Sequence, residues 1–274
     1  MKIIFFIILT FIFSTVFGQK SNIIDKKDFV IGETLQMKSE ILNEYRVLNI
    51  YLPNSYKINS LKKYPVIYLL DGSKDEDFIH ISGIVQFGSF SWINMLPESI
   101  VVGIGNVDRK RDFTYPSTNE LDQKDFPTSG KSENFIKFID KELQPLIDLT
   151  YRTTNQNTLI GQSLGGLLGS EILFNHPNLF DNYIIVSPSL WWDNELLLKT
   201  KPINYLTEKS IYIAVGKEGE VMERTAKELY EKLKSVKNEN SKLYFDFLED
   251  KSHGDALHLA VYRAFENFYK SKGE

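Results

Sequence analysis

Cysteine is absent from all 274 residues. That excludes disulfides, thiolate metal sites and cysteine nucleophiles together. Histidine is scarce: His80, His176, His253 and His258 are the four. Only His253 and His258 lie close enough in sequence to suggest a ligand pair, so no metal site is expected. The chain also lacks a basic excess. Its formal net charge of −4 argues against general nucleic-acid binding, which needs a basic face. Linkers, repeats and low-complexity tracts are missing beyond Gln19. The apolar run from Ile3 to about Phe13 falls short of the ~20 residues a membrane-spanning helix requires.

That run follows one lysine and precedes Ser-Thr-Val-Phe-Gly, which is the pattern of a secretory signal peptide. Cleavage is expected before Gln19, leaving residues 19–274 as one domain in the periplasm or outside the cell. No cysteine follows to carry a lipoprotein anchor, and no stable membrane anchor is expected.

Hydrophobic residues make up 42% of the chain, enough for a large core. Near-continuous apolar runs occur at Arg46–Pro53, Pro65–Gly72, Ser99–Asn106, Asn157–Ser163, Asn182–Ser189, Ser210–Gly216 and Lys242–Asp250. Runs of this kind are strands buried on both faces. Between them, "SENFIKFIDKELQPLID", "MERTAKELYEKLKS" and "ALHLAVYRAFENFY" repeat at helical spacing, and Ser132 is placed to cap the first. Alternating strands and helices predict an α/β fold with a mostly parallel sheet covered on both faces. The first strands, with no clear helix between them, are expected to pair antiparallel. Ligands in such sheets bind beyond the carboxyl ends of the strands.

"NTLIGQSLGGLLG" places Ser163 at such an end, between a strand and a helix. Gly-x-Ser-x-Gly in that setting is a nucleophile elbow. The serine sits in a tight turn, and Gly161, Gly165, Gly166 and Gly169 let strand and helix approach. A serine needs a base, and His253 follows the last strand. His258 falls inside the final helical pattern and reads as packed or solvent-facing; His80 and His176 read as structural. The acid should follow the preceding strand, where Glu218 and Glu220 compete. Glu218, nearer the strand end, is favoured. Two backbone amides must hold the oxyanion: Leu164 after the nucleophile, and Ser73 after "VIYLLDG".

Arg109 and Arg111 follow the Ser99–Asn106 strand and are expected at the site edge, where arginine suits an anionic substrate. The competing role for Arg111 is a structural pair with Asp112 or a neighbouring carboxylate. Trp191 and Trp192 follow another strand and suit a pocket wall for an aromatic ring, although at least one should be core.

With these residues placed, the chain resembles the esterase D and siderophore-esterase branch of the α/β-hydrolases. The resemblance rests on "YPVIYLLDG", "VVGIGNVDRKRDFTYP", "LIGQSLGGLLG", "HPNLFDNYIIVSPSLWW", "IYIAVGKEGE" and "SHGDALHLAVYRAF". It implies a serine hydrolase working through Ser163 and His253 without a cofactor. Relatives often carry Gly-x-x-Glu after the penultimate strand; here Gly219 stands third after Gly216, so Glu218 and Glu220 both stay open. The implied substrate is a small-molecule ester, foremost a catecholate siderophore trilactone. Feruloyl or acetyl esters of polysaccharides, and acyl transfer by the same machinery, are the alternatives.

Overall fold

The computed structural model describes residues 23–205 and 207–269. The expected signal peptide and its cleavage point before Gln19 lie outside them. The chain divides into two units, Met1–Val30 and Ile31–Glu274. Of the first, residues 23–30 are exposed and carry no helix or strand. Ile31 opens the second unit.

The body is built on eight strands: β1 (Glu33–Ser39), β2 (Glu44–Tyr51), β3 (Tyr64–Leu69), β4 (Ile100–Ile104), β5 (Thr153–Gln162), β6 (Asn182–Val186), β7 (Ser210–Gly216) and β8 (Lys242–Leu248). They form one sheet in the order β1-β2-β4-β3-β5-β6-β7-β8. The β1–β2 and β2–β4 pairs are antiparallel; every pair from β4 through β8 is parallel. The sheet is thus mostly parallel with an antiparallel start, as the sequence predicts.

Strand side chains alternate between two cores. Ile211, Ile213 and Val215 of β7 face one; Tyr212 and Ala214 face the other. Both faces are covered, which is why β7 reads as an unbroken apolar run. Helices Leu164–Asn175 and Glu220–Val236 pack on the first face, and Phe78–Gly88 and Ala256–Tyr269 on the second. Each fully buried Leu, Ile or Phe contributes roughly 1.5–3 kcal/mol.

Two local expectations need correction. The "SENFIKFIDKELQPLID" helix is interrupted by a π-helical turn over Ile139–Leu143, before its last segment, Gln144–Thr150. Pro145 explains the wide turn: it has no N–H to donate and its ring crowds the carbonyl four residues back. Ser132 does not cap this helix. It is the first helical residue, and its hydroxyl donates to Glu171 Oε1 at 2.9 Å.

Candidate active site

Four consecutive parallel strands deliver their following residues to one edge of the sheet. Ser163 follows β5, Ser187 follows β6, Glu218 follows β7 and His253 follows β8. The β3 and β4 ends add Asp71, Ser73 and Asn106.

Ser163 has φ 59° and ψ −119°, a conformation costly for a residue with a Cβ. The surroundings enforce it. Its N–H donates to Val186 O at 3.0 Å, and its carbonyl accepts from Leu167 N and Ser189 N. Gly161 is required for close approach: a Cβ there would lie 2.4 Å from Gly165 O. Leu164 opens the helix Leu164–Asn175, so its N–H has no intrahelical partner and stays available to an oxyanion.

His253 Nδ1 lies 2.5 Å from Glu218 Oε2. Glu218 is nearly buried, its side chain 3% exposed, whereas the imidazole is half exposed. Burial pushes the carboxyl pKa up, but hydrogen bonds from His253, Ser187 and the Gly216 amide outweigh it and hold the group below its ordinary value. Gly216 must be glycine for β7 and the β8 loop to meet, because a Cβ there would lie 2.6 Å from Lys251 O. Glu220 begins the helix Glu220–Val236 and is exposed. The geometry therefore pairs His253 with Glu218 and leaves Glu220 outside.

The Ser163 turn and the His253 loop are tied through Gln162, whose side-chain amide donates to His253 O at 2.5 Å. Ser163 Oγ itself rests 3.4 Å from Ser189 Oγ. Catalytic serine–histidine bonds commonly form only once substrate is bound.

Ser73 lies on the turn after β3. Its N–H is accepted by Glu76 Oε2 at 3.3 Å, while Glu76 N donates to Ser73 O at 3.0 Å. The Glu76 carboxylate thus occupies the Ser73 amide while its own N–H closes a four-residue turn onto the Ser73 carbonyl. A substrate oxygen using the Ser73 amide has to displace Glu76.

Arg109 braces this turn. Its Nε and Nη2 donate to the two Asp71 carboxylate oxygens at 2.6 and 2.9 Å, and Nη2 also reaches Gln162 O at 3.2 Å. Asn106 Nδ2 donates to Asp71 Oδ1 at 2.7 Å. One guanidinium thus links the Ser73 turn to Gln162, the residue before Ser163.

Arg111 takes the structural pairing that competed with a site-edge role. It donates to Asp112 at 2.7 Å and to both Glu44 oxygens at 3.0 and 2.7 Å, and buried Arg46 completes the cluster through Glu44 and Asp112. Two carboxylates absorb its charge and raise its pKa above the ordinary arginine value. Trp192 is the one of the two adjacent tryptophans that is core, which removes it from the pocket wall. It is fully buried, its indole N–H donating to Tyr115 O at 2.8 Å. Trp191 is partly exposed, with its ring centroid 6.0 Å from that of Phe126. Lys110 Nζ stands 4.5 Å over the Phe126 ring, a cation–aromatic contact the sequence reading missed. Sequence reasoning also missed Asp71, Gln162, Ser187 and Ser189.

Comparison with known proteins agrees with this architecture. A family described as "Putative esterase" matches residues 39–258. Ferri-bacillibactin esterase BesA of Bacillus subtilis is 30% identical over 256 residues, spanning 85% of this chain and 88% of the relative. The BES protein of Bacillus cereus superposes with a TM-score of 0.77 at 27% identity, covering 92% of this chain and 100% of that one. An IroE-like serine hydrolase from Shewanella oneidensis gives a TM-score of 0.77 at 27% identity, covering 87% and 80%.

Proposed function

The chain belongs to this esterase family, in the siderophore-esterase branch of the α/β-hydrolases, and from that premise we propose that it is a serine esterase opening the trilactone ring of a catecholate siderophore. As a family member it is a carboxylic ester hydrolase. The similarity to an esterase named for ferri-bacillibactin, across nearly the whole of both chains, carries the substrate reading. The chemistry is carried by the 2.5 Å Glu218–His253 contact beside the strained Ser163 elbow.

The geometry supports the following steps. His253 removes the Ser163 proton as Oγ attacks the ester carbonyl, and the buried Glu218 carboxylate stabilises the imidazolium that results. The Leu164 and Ser73 amides receive the oxyanion. Collapse expels the alcohol, protonated by His253, and leaves Ser163 acylated. Water, deprotonated by His253, then attacks the acyl-enzyme and releases the acid. No step calls for a metal or cofactor.

A catecholate substrate needs aromatic walls and positive charge. Trp191, Phe126 and Lys110 supply the first subsite. Arg109 supplies a second cation, with Nη1 making no hydrogen bond among the described residues. The signal-peptide pattern of residues 1–18 favours action in the periplasm or outside the cell.

The test is a product assay by liquid chromatography and mass spectrometry. Residues 19–274 and the Ser163→Ala variant are each incubated with a tris-catecholate trilactone, with and without iron. The linear trimer and its fragments are expected only with the unsubstituted protein. An intact trilactone alongside a cleaved aryl ester would keep the esterase and reject the siderophore substrate. Feruloyl or acetyl polysaccharide esters, and acyl transfer to added alcohols, would then be the reactions to assay.

A further inference from the structure

We propose that Ser187 is a positioning residue of this esterase, holding the Glu218 carboxylate in the orientation that meets His253; the proposal rests on the Ser163–His253–Glu218 reading above. Ser187 Oγ donates to Glu218 Oε1 at 2.5 Å, and the Gly216 amide reaches the same oxygen at 2.9 Å. With Oε1 held from two directions, Oε2 is fixed on the imidazole at 2.5 Å. A glutamate side chain has three rotatable bonds, and Glu218 spends its reach from a loop, not from a strand. Its aim therefore depends on what grips the far oxygen.

The backbone of Ser187 fits such a role. The residue is fully buried and has φ 45°, unusual for a residue with a side chain. Its N–H donates to Ala214 O on the neighbouring strand at 2.7 Å. Two residues on, Ser189 N donates to the Ser163 carbonyl at 3.0 Å, and Ser189 Oγ lies 3.4 Å from Ser163 Oγ. Pro188 between them packs where Gly166 leaves room, since a Cβ there would be 3.0 Å from Pro188 Cα. The turn Ser187-Pro188-Ser189 is bonded to the acid at one end and to the nucleophile at the other. It sets the two ends of the relay against each other, and the Ser187 hydroxyl is its contact with the acid.

The test is a double-mutant cycle on hydrolysis of a neutral aryl acetate, with active sites counted by fluorophosphonate labelling. Ser187→Ala is expected to lower kcat about tenfold with KM within about twofold of the unsubstituted enzyme. Ser187→Gly should lose as much, although it relieves the positive φ; that separates the hydroxyl from the backbone. In a Glu218→Ala background, Ser187→Ala should cost nothing more, because its only route to the reaction has gone. Full activity in Ser187→Ala, or losses that multiply in the double variant, would overturn the proposal while leaving the triad intact. Full activity in Glu218→Ala alone would overturn the triad reading, and this proposal with it.

Discussion

Glu218 Oε2 and His253 Nδ1 meet at 2.5 Å, although the two residues are 35 apart in sequence and sit on loops after adjacent parallel strands. Parallel pairing of β7 with β8 brings both loops to one sheet edge. Glu220, two residues later, is carried away by the start of its helix.

Glu218→Gln keeps the shape of the side chain but removes the charge that stabilises the imidazolium. It should lower kcat for an aryl ester by roughly 10²-fold or more. Glu220→Gln should change it by less than about twofold. Steady-state kinetics on the two variants decide the matter, and a reversed order would assign the acid to Glu220.

Arg109→Lys removes the fork that binds both Asp71 oxygens and Gln162 O. Lysine is a point charge and does not replace a bidentate contact. Turnover of a neutral aryl ester should fall about tenfold as the Ser73 turn loosens. A loss confined to anionic substrates would mean that Arg109 only binds substrate.

The two adjacent tryptophans should separate stability from binding. Trp192→Ala empties a fully buried site and should cost about 3–5 kcal/mol, read by denaturant unfolding. Trp191→Ala should leave stability within about 1 kcal/mol of the parent, as a partly exposed side chain does, and raise KM for an aromatic ester. Equal destabilisation by both would put Trp191 in the core as well.

Glu171, on the helix behind Ser163, gives stability a pH dependence. Burial raises its pKa from 4.5 to about 7, offset in part by the Ser132 hydroxyl, while Oε2 has no hydrogen-bond partner. The folded state then holds a proton that the unfolded chain has already lost between pH 4.5 and 7. Stability must fall as pH rises through that window, by about 3 kcal/mol at most, and level off above it. Glu171→Gln should therefore raise Tm at pH 8 and leave it nearly unchanged at pH 4. A Tm gain of equal size at both pH values would contradict a titrating Glu171.

The fold was legible where residues are buried on both sides. β5, the elbow and the following helix announce themselves through "NTLIGQSLGGLLG", because a two-faced core demands unbroken apolar residues and the close approach demands glycine. β1 went unseen. It is an edge strand with mostly exposed residues, and "ETLQMKS" has too little apolar surface to read. Ser163, His253 and Glu218 could be found because each lies within a few residues of a strand's carboxyl end. The supporting residues were harder. Ser187 acts through a hydroxyl on a positive-φ turn, and sequence periodicity carries no signal for that. Arg109 and Arg111 look equivalent in "DRKRD", yet a short helical turn sends one to Asp71 and the other to Glu44 and Asp112. Trp191 and Trp192 diverge for a like reason: neighbours on a tight turn face different ways.

The proposed reaction cleaves an ester of a catecholate trilactone by way of Ser163. Rapid acid quenching of the enzyme during turnover of such a trilactone, followed by peptide mass mapping, tests it most directly. An acyl adduct is expected on the peptide containing Ser163, lost on longer incubation and absent from Ser163→Ala. Ring opening that continues in Ser163→Ala, or an adduct on another residue, would contradict it.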